Sequence, residues 1–120
     1  MDNVIKHGVI NINSRSVTLP RIRLENEIKN LVSRFPRNSK IFLNVKVNLK
    51  KADGSTFVLK DPRTNMAETL FKRTNVESAV NSFERAFNSM IDKLTDASSA
   101  SDVELEGIES LEITCSKSVN

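Results

Sequence analysis

Ten consecutive residues, Ile41–Lys50, alternate without a break. Ile41, Leu43, Val45, Val47 and Leu49 fall on one side, and Phe42, Asn44, Lys46, Asn48 and Lys50 on the other. A period of two with an aliphatic residue at every second position predicts a strand buried on one face. Asp53-Gly54 follows as a turn signal and admits two registers. As a two-residue type I′ loop it pairs Leu49 with Val58 and leaves Phe57 and Leu59 among the lysines. As part of a three-residue loop, Ala52–Gly54 with Gly54 left-handed, it pairs Leu49 with Phe57 and Val47 with Leu59. The second register is preferred, because it leaves only Phe42 and Val58 of the large apolar residues off the common side.

A sheet with one apolar face needs a cover, and two helical patterns supply it. Thr18 offers an N-cap, Pro20 sits in the first turn, and Leu24, Ile28, Leu31, Val32 and Phe35 recur at helical spacing, so a helix is predicted over Leu19–Phe35, ended by Pro36. Thr74-Asn75-Val76-Glu77 matches a capping box. Behind it Val76, Val80, Phe83, Phe87, Met90, Ile91 and Leu94 form a stripe with Ala79 and Ala86, predicting a helix from Asn75 to Leu94. Val4–Ile12 alternates weakly as a first strand, Asp61–Asn65 is a turn by composition, and Met66–Arg73 returns as a further strand. After the linker-like Asp96–Asp102, Leu111, Ile113 and Cys115 alternate with Glu112 and Thr114 as a short strand.

The expected fold is therefore α+β, of order β-α-β-β-β-α, with both helices packed on one face of a meander sheet and a short C-terminal strand added. Residues 1–95 are expected to form a single α+β domain, and 96–120 a Ser/Asp linker with an acidic C-terminal strand or tail. A chain of 120 residues and 13.5 kDa has room for one core but not two.

Charge divides along the chain. Residues 1–74 hold 15 Lys and Arg against 6 Asp and Glu, and residues 75–120 hold 3 against 9. The basic part points to a polyanion partner, while the acidic part suits a regulator, a second binding surface or a solvated tail. Lysines and arginines that displace condensed cations from phosphates gain affinity without reading sequence. The candidates are Lys46, Lys50, Lys51, Lys60 and Arg63 on the hairpin and its exit, with Lys72 and Arg73 at the last strand before the second helix. Arg21, Arg34, Arg37 and Lys40 flank the first helix as a second patch. Phe42 is the one aromatic residue off the expected core faces, hence the one candidate stacking platform. Beside this reading stands a plainer one, in which lysines on an outer sheet face serve solubility and block edge pairing.

The residue inventory argues against catalysis and against a cofactor. One histidine, His7, and one cysteine, Cys115, lie far apart in sequence, and the three glycines, Gly8, Gly54 and Gly107, cannot make a local phosphate loop. No His/Cys pair has metal-ligand spacing, and Glu104, Glu106, Glu109 and Glu112 lack the Asp/Asn-Gly pattern of a calcium loop. No apolar run approaches the ~20 residues that span a bilayer. A single cysteine fits a reducing compartment, so a cytoplasmic location is expected.

The element order, the segment Ile12–Phe35 (Ile-Asn-Ser-Arg-Ser-Val-Thr, then a helix), the strand Ile41–Val47, and the strand, turn and helix of Leu70–Leu94 together resemble the ribosome hibernation-promoting and ribosome-associated inhibitor family. The similarity covers roughly residues 4–95. It implies a β-α-β-β-β-α fold, no enzymatic activity, and binding to the small ribosomal subunit where messenger and transfer RNA would lie. That family keeps the end of its last helix basic, whereas Asp92-Lys93-Leu94-Thr95-Asp96 is acidic on balance. Double-stranded-RNA-binding domains share the α-β-β-β-α part, and Lys72-Arg73 is faintly similar to their basic helix start. The expectation is a non-enzymatic RNA-binding protein. The alternative is a protein-interaction module, such as a viral or phage accessory protein or a homo-oligomer, whose basic sheet and acidic tail meet between copies.

Overall fold

The structure is a computed structural model and describes residues 5–13, 15–59, 69–98 and 105–118. Its elements are β1 (Ile5–Asn11), α1 (Arg21–Val32), β2 (Lys40–Lys51), β3 (Thr56–Leu59), β4 (Thr69–Lys72), α2 (Val76–Ser98) and β5 (Leu105–Lys117). The chain is α+β: two helices pack against an antiparallel sheet in the order β-α-β-β-β-α-β. No helix among the described residues is long and apolar enough to cross a membrane.

The strand order is β1-β5-β2-β3, with β4 also paired to β2. This differs from the expected meander. β3 pairs with Val47–Lys50 and β4 with Lys40–Leu43, so the two succeed each other along one edge of β2 rather than pairing together. The reason is length: β2 has twelve residues, about 40 Å of strand, and each four-residue partner covers a third of it.

The C-terminal strand is not short. It runs thirteen residues and lies between β1 and β2, antiparallel to both. Two register shifts leave Glu109 and Glu106 without a partner on β2. A bulge of this kind breaks the period of two, so the core residues Ile108 and Leu111 stand three apart and the first half of the strand has no alternating signature.

The hairpin takes the preferred register, Leu49 opposite Phe57 and Val47 opposite Leu59. Gly54 sits at φ +90°, a conformation costly to any residue with a Cβ. The Lys51 N–H donates to the Ser55 carbonyl at 2.9 Å, and the Asp53 carboxylate accepts both the N–H and the hydroxyl of Ser55. Those two bonds hold the Asp53 carboxyl below its ordinary value.

Helix α1 begins at Arg21, two residues later than expected. Pro20 is the N-cap with ψ 78°, and Thr18 makes no cap bond. Its N–H is taken by the Ser16 hydroxyl instead. Leu24, Ile28 and Val32 of α1, with Val76, Ala79, Val80, Phe83, Phe87 and Met90 of α2, cover the aliphatic row of β2 and Ile108, Leu111, Ile113 and Cys115 of β5. Full burial of a Leu or Ile contributes about 1.5–3 kcal/mol, so the two long strands and their cover are the main source of stability. Where α1 crosses β1, a Cβ on Gly8 would sit 3.2 Å from carbons of Glu27 and Leu31, which explains a glycine inside that strand.

Candidate nucleic-acid interface

The face away from the helices reads as rows across the strands. From the hairpin end they are Asn11, Ser110, Asn48 and Val58; then Val9, Glu112 and Lys46; then His7, Thr114 and Asn44; then Ile5, Ser116, Phe42 and Leu70; and finally Lys40 opposite Lys72. Five of the candidate cations, Lys40, Lys46, Lys50, Lys51 and Lys72, lie on the strands, yet their surroundings differ.

In the middle of the face, β5 brings carboxylates among the lysines. Lys46 Nζ lies 3.6 Å from Glu112 Oε2, and the same oxygen accepts the Asn48 amide at 2.9 Å. The Asn48 bond above all holds the Glu112 carboxyl below its ordinary value; burial opposes it, and Lys46 adds a lesser lowering effect. Glu109 accepts the Thr56 hydroxyl at 2.7 Å. The charge division along the chain is therefore not a division in space, because acidic residues of the last strand stand between basic ones of the second. Lys50, half-buried, faces Thr56 and Gly107. Lys51 sits on the other side of β2 at the hairpin, its Nζ 5.7 Å from the centre of the Phe57 ring, a cation–π contact. Lys60 and Arg63 lie outside the described residues.

Two of the candidate arginines hold the fold together. Arg73 donates from Nε to the Val32 carbonyl at 2.8 Å and from Nη2 to the Ser33 carbonyl at 3.2 Å, closing the C-terminal end of α1, where carbonyls lack helical partners and the dipole favours a cation. Arg21 makes an ion pair with Glu84 at 2.7 Å and donates to Asn81, tying the start of α1 to α2. Arg34 is exposed just past the C-terminal end of α1, where it lines a cavity with Lys6, His7 and Glu27.

Arg37, Lys40 and Lys72 remain, and the fold brings them to one end of the sheet. All three are exposed, and none has an acidic partner among the described residues. Lys40 and Lys72 are directly opposed across β2 and β4. Directly opposed residues have Cα atoms about 4.5–5.5 Å apart, and like charges in that position repel. Arg37 and Lys72 also line a cavity of about 490 Å³ with Asn38 and Thr74. Asn38 and Thr74 were not among the sequence candidates: Asn38 sits in an irregular connection, and Thr74 carries a capping signature that accounts for it without any ligand. Next to them the hydroxyl of Ser39 is buried with no hydrogen-bond partner.

No protein-family model, curated protein or solved structure matches this chain. Function is therefore argued from side-chain chemistry. Among the described residues, no three His, Cys, Asp or Glu side chains group to hold a metal ion. Cys115 is fully buried, and burial, with a lesser effect of Glu27, pushes its thiol up to about 12, so it stands neutral in the core. What the surface offers chemically is a set of fixed positive charges beside amide and hydroxyl donors, the groups that take phosphate oxygens.

Proposed function

We propose that this chain is a non-enzymatic RNA-binding protein whose phosphate contacts lie at the Arg37, Lys40 and Lys72 end of the sheet. The observation that carries the reading is the opposed pair Lys40 and Lys72, with Arg37 beside it and no carboxylate among the described residues to relieve the repulsion. Two lysines held in this way are destabilising alone and favourable once an anion sits between them. Lys46 is a weaker candidate, because Glu112 already neutralises it. The small ribosomal subunit is the partner that the sequence resemblance implies, and a cytoplasmic location goes with it.

The test is a salt series with a short fluorescein-labelled single-stranded RNA read by anisotropy. Affinity should fall steeply, with a log–log slope of about 0.7 per phosphate contact, or about 2 for three contacts. No binding at low salt, or an affinity flat across the series, overturns the reading.

A second reading has its own observation. Ile5 and Val9 stand 60% and 52% exposed on the open face, which suits self-association through that face. A mass from light scattering that rises from monomer to dimer with concentration, in the absence of RNA, would favour it.

A further inference from the structure

We infer that the RNA at this site is single-stranded and that one unpaired base lies on the ring of Phe42. This deepens the RNA reading above and rests on it.

Phe42 differs from every other aromatic residue of the chain. Phe35, Phe71, Phe83 and Phe87 are buried in the core and Phe57 packs against it, whereas Phe42 belongs to the open face and is half-buried there. Its row is apolar at both ends: Leu70 is directly opposite on one side, Ser116 on the other, and Ile5 beyond Ser116. Leu70 and Ile5 are 51% and 60% exposed. Four strand positions at about 4.8 Å spacing make a strip about 14 Å wide, enough to seat a base and its neighbour.

The position of the strip relative to the cations selects the ligand. Lys40 lies two residues from Phe42 on the same face, about 7 Å along the strand, and Lys72 stands in the same relation to Leu70. That is within reach of the phosphates on either side of a base stacked on Phe42. A duplex cannot use this arrangement, since its bases are stacked inside and only its backbone is presented. Laid along the open face, a duplex would also carry phosphates over Glu112 and Glu109. A single strand crossing the sheet at its Lys40 and Lys72 end avoids both carboxylates. Charge complementarity thus picks a single strand for this strip over a duplex, and over a second copy of a chain whose own end is equally basic. Stacking on an aromatic ring is tolerant of base identity, so the site is expected to prefer unpaired RNA with little sequence preference.

The chain contains no Trp or Tyr, so the probe carries the signal. The experiment compares an RNA oligonucleotide bearing 2-aminopurine with the same oligonucleotide annealed to its complement, each titrated with wild type, Phe42→Ala and Phe42→Leu. Wild type should bind the single strand more tightly than the duplex and change the 2-aminopurine emission. Phe42→Ala should weaken single-strand binding by about fivefold to a hundredfold and abolish the emission change, with the duplex affinity unmoved. Phe42→Leu keeps apolar volume for the fold and should still lose the emission change. Equal affinity for single strand and duplex, or single-strand binding indifferent to Phe42→Ala, overturns the inference and leaves the RNA reading standing. Failure to bind either RNA overturns both. A dimer that Phe42→Ala dissociates would assign the strip to a second copy instead and overturn the inference.

Discussion

Ending the chain after residue 98 removes β5 and should abolish the fold. Among the described residues β1 pairs with nothing but β5, and β2 loses its whole partner on that side. Ile108, Leu111 and Ile113 are each 0% exposed. At about 1.5–3 kcal/mol for each buried side chain, the three account for roughly 5–9 kcal/mol, an upper estimate because an unfolded chain already buries some apolar surface. Typical net stability is about 5–15 kcal/mol, so the loss consumes from about a third to all of it before two ladders of backbone bonds are considered. The assay is circular dichroism with thermal and urea unfolding of the shortened chain beside the full one. A broad, non-cooperative profile is expected. Leu111→Ala in the full chain provides the graded version, costing about 2–5 kcal/mol with the transition still cooperative. A shortened chain with a sharp transition near that of the full protein would refute the placement of β5 at the centre of the sheet.

Lys72→Glu should stabilise the fold by about 0.2–1 kcal/mol, since an opposed pair of like charges becomes one of unlike charges, while RNA affinity falls; urea unfolding and anisotropy on the same sample check both, and a loss of stability would contradict the unrelieved repulsion. Arg73→Ala should cost about 1.5–3 kcal/mol through the loss of its charge-assisted bonds to the Val32 and Ser33 carbonyls at the end of α1, the first of which still accepts the Phe35 N–H, with the salt slope of RNA binding unchanged. For Glu112, whose folded carboxyl titrates below its unfolded value, the stabilising contribution is present above the unfolded pKa and is lost as pH falls through the folded one. Asn48→Ala should move the Glu112 titration up towards its ordinary value in a carbon-detected NMR titration and narrow that window; an unmoved titration would show that the amide is not the cause.

The parts of this fold that were legible in the sequence are those with an unbroken period. The β2 alternation, the α2 stripe and the three-residue hairpin loop with its left-handed Gly54 all follow from local chemistry. The sheet order was not legible, because nothing local says that a strand after a linker returns between the first and second strands. The bulges at Glu109 and Glu106 then hid half of that strand by placing core residues three apart. The same gap governs the site. Lysines on the polar face of β2 could be counted from the sequence, but Glu112 and Asn48 meet Lys46 only through pairing of β5 with β2. Arg73 and Arg21 read as surface cations until their partners, the end of α1 and the side of α2, are brought to them by packing. Arg37, Lys40 and Lys72 were all named, yet as members of two separate patches, and it is the Lys40 to Lys72 register that joins them.

The claim that binding resides at the end of the sheet is tested most directly by the salt dependence of RNA affinity in two multiple variants. Replacing Arg37, Lys40 and Lys72 each with Gln should weaken binding and lower the log–log slope by about 2, three contacts at about 0.7 each. Replacing Lys46 and Lys50 with Gln should leave the slope nearly as in wild type, because Glu112 already holds Lys46 and the middle of the face repels phosphate. A slope lost in the second variant and kept in the first would contradict the account.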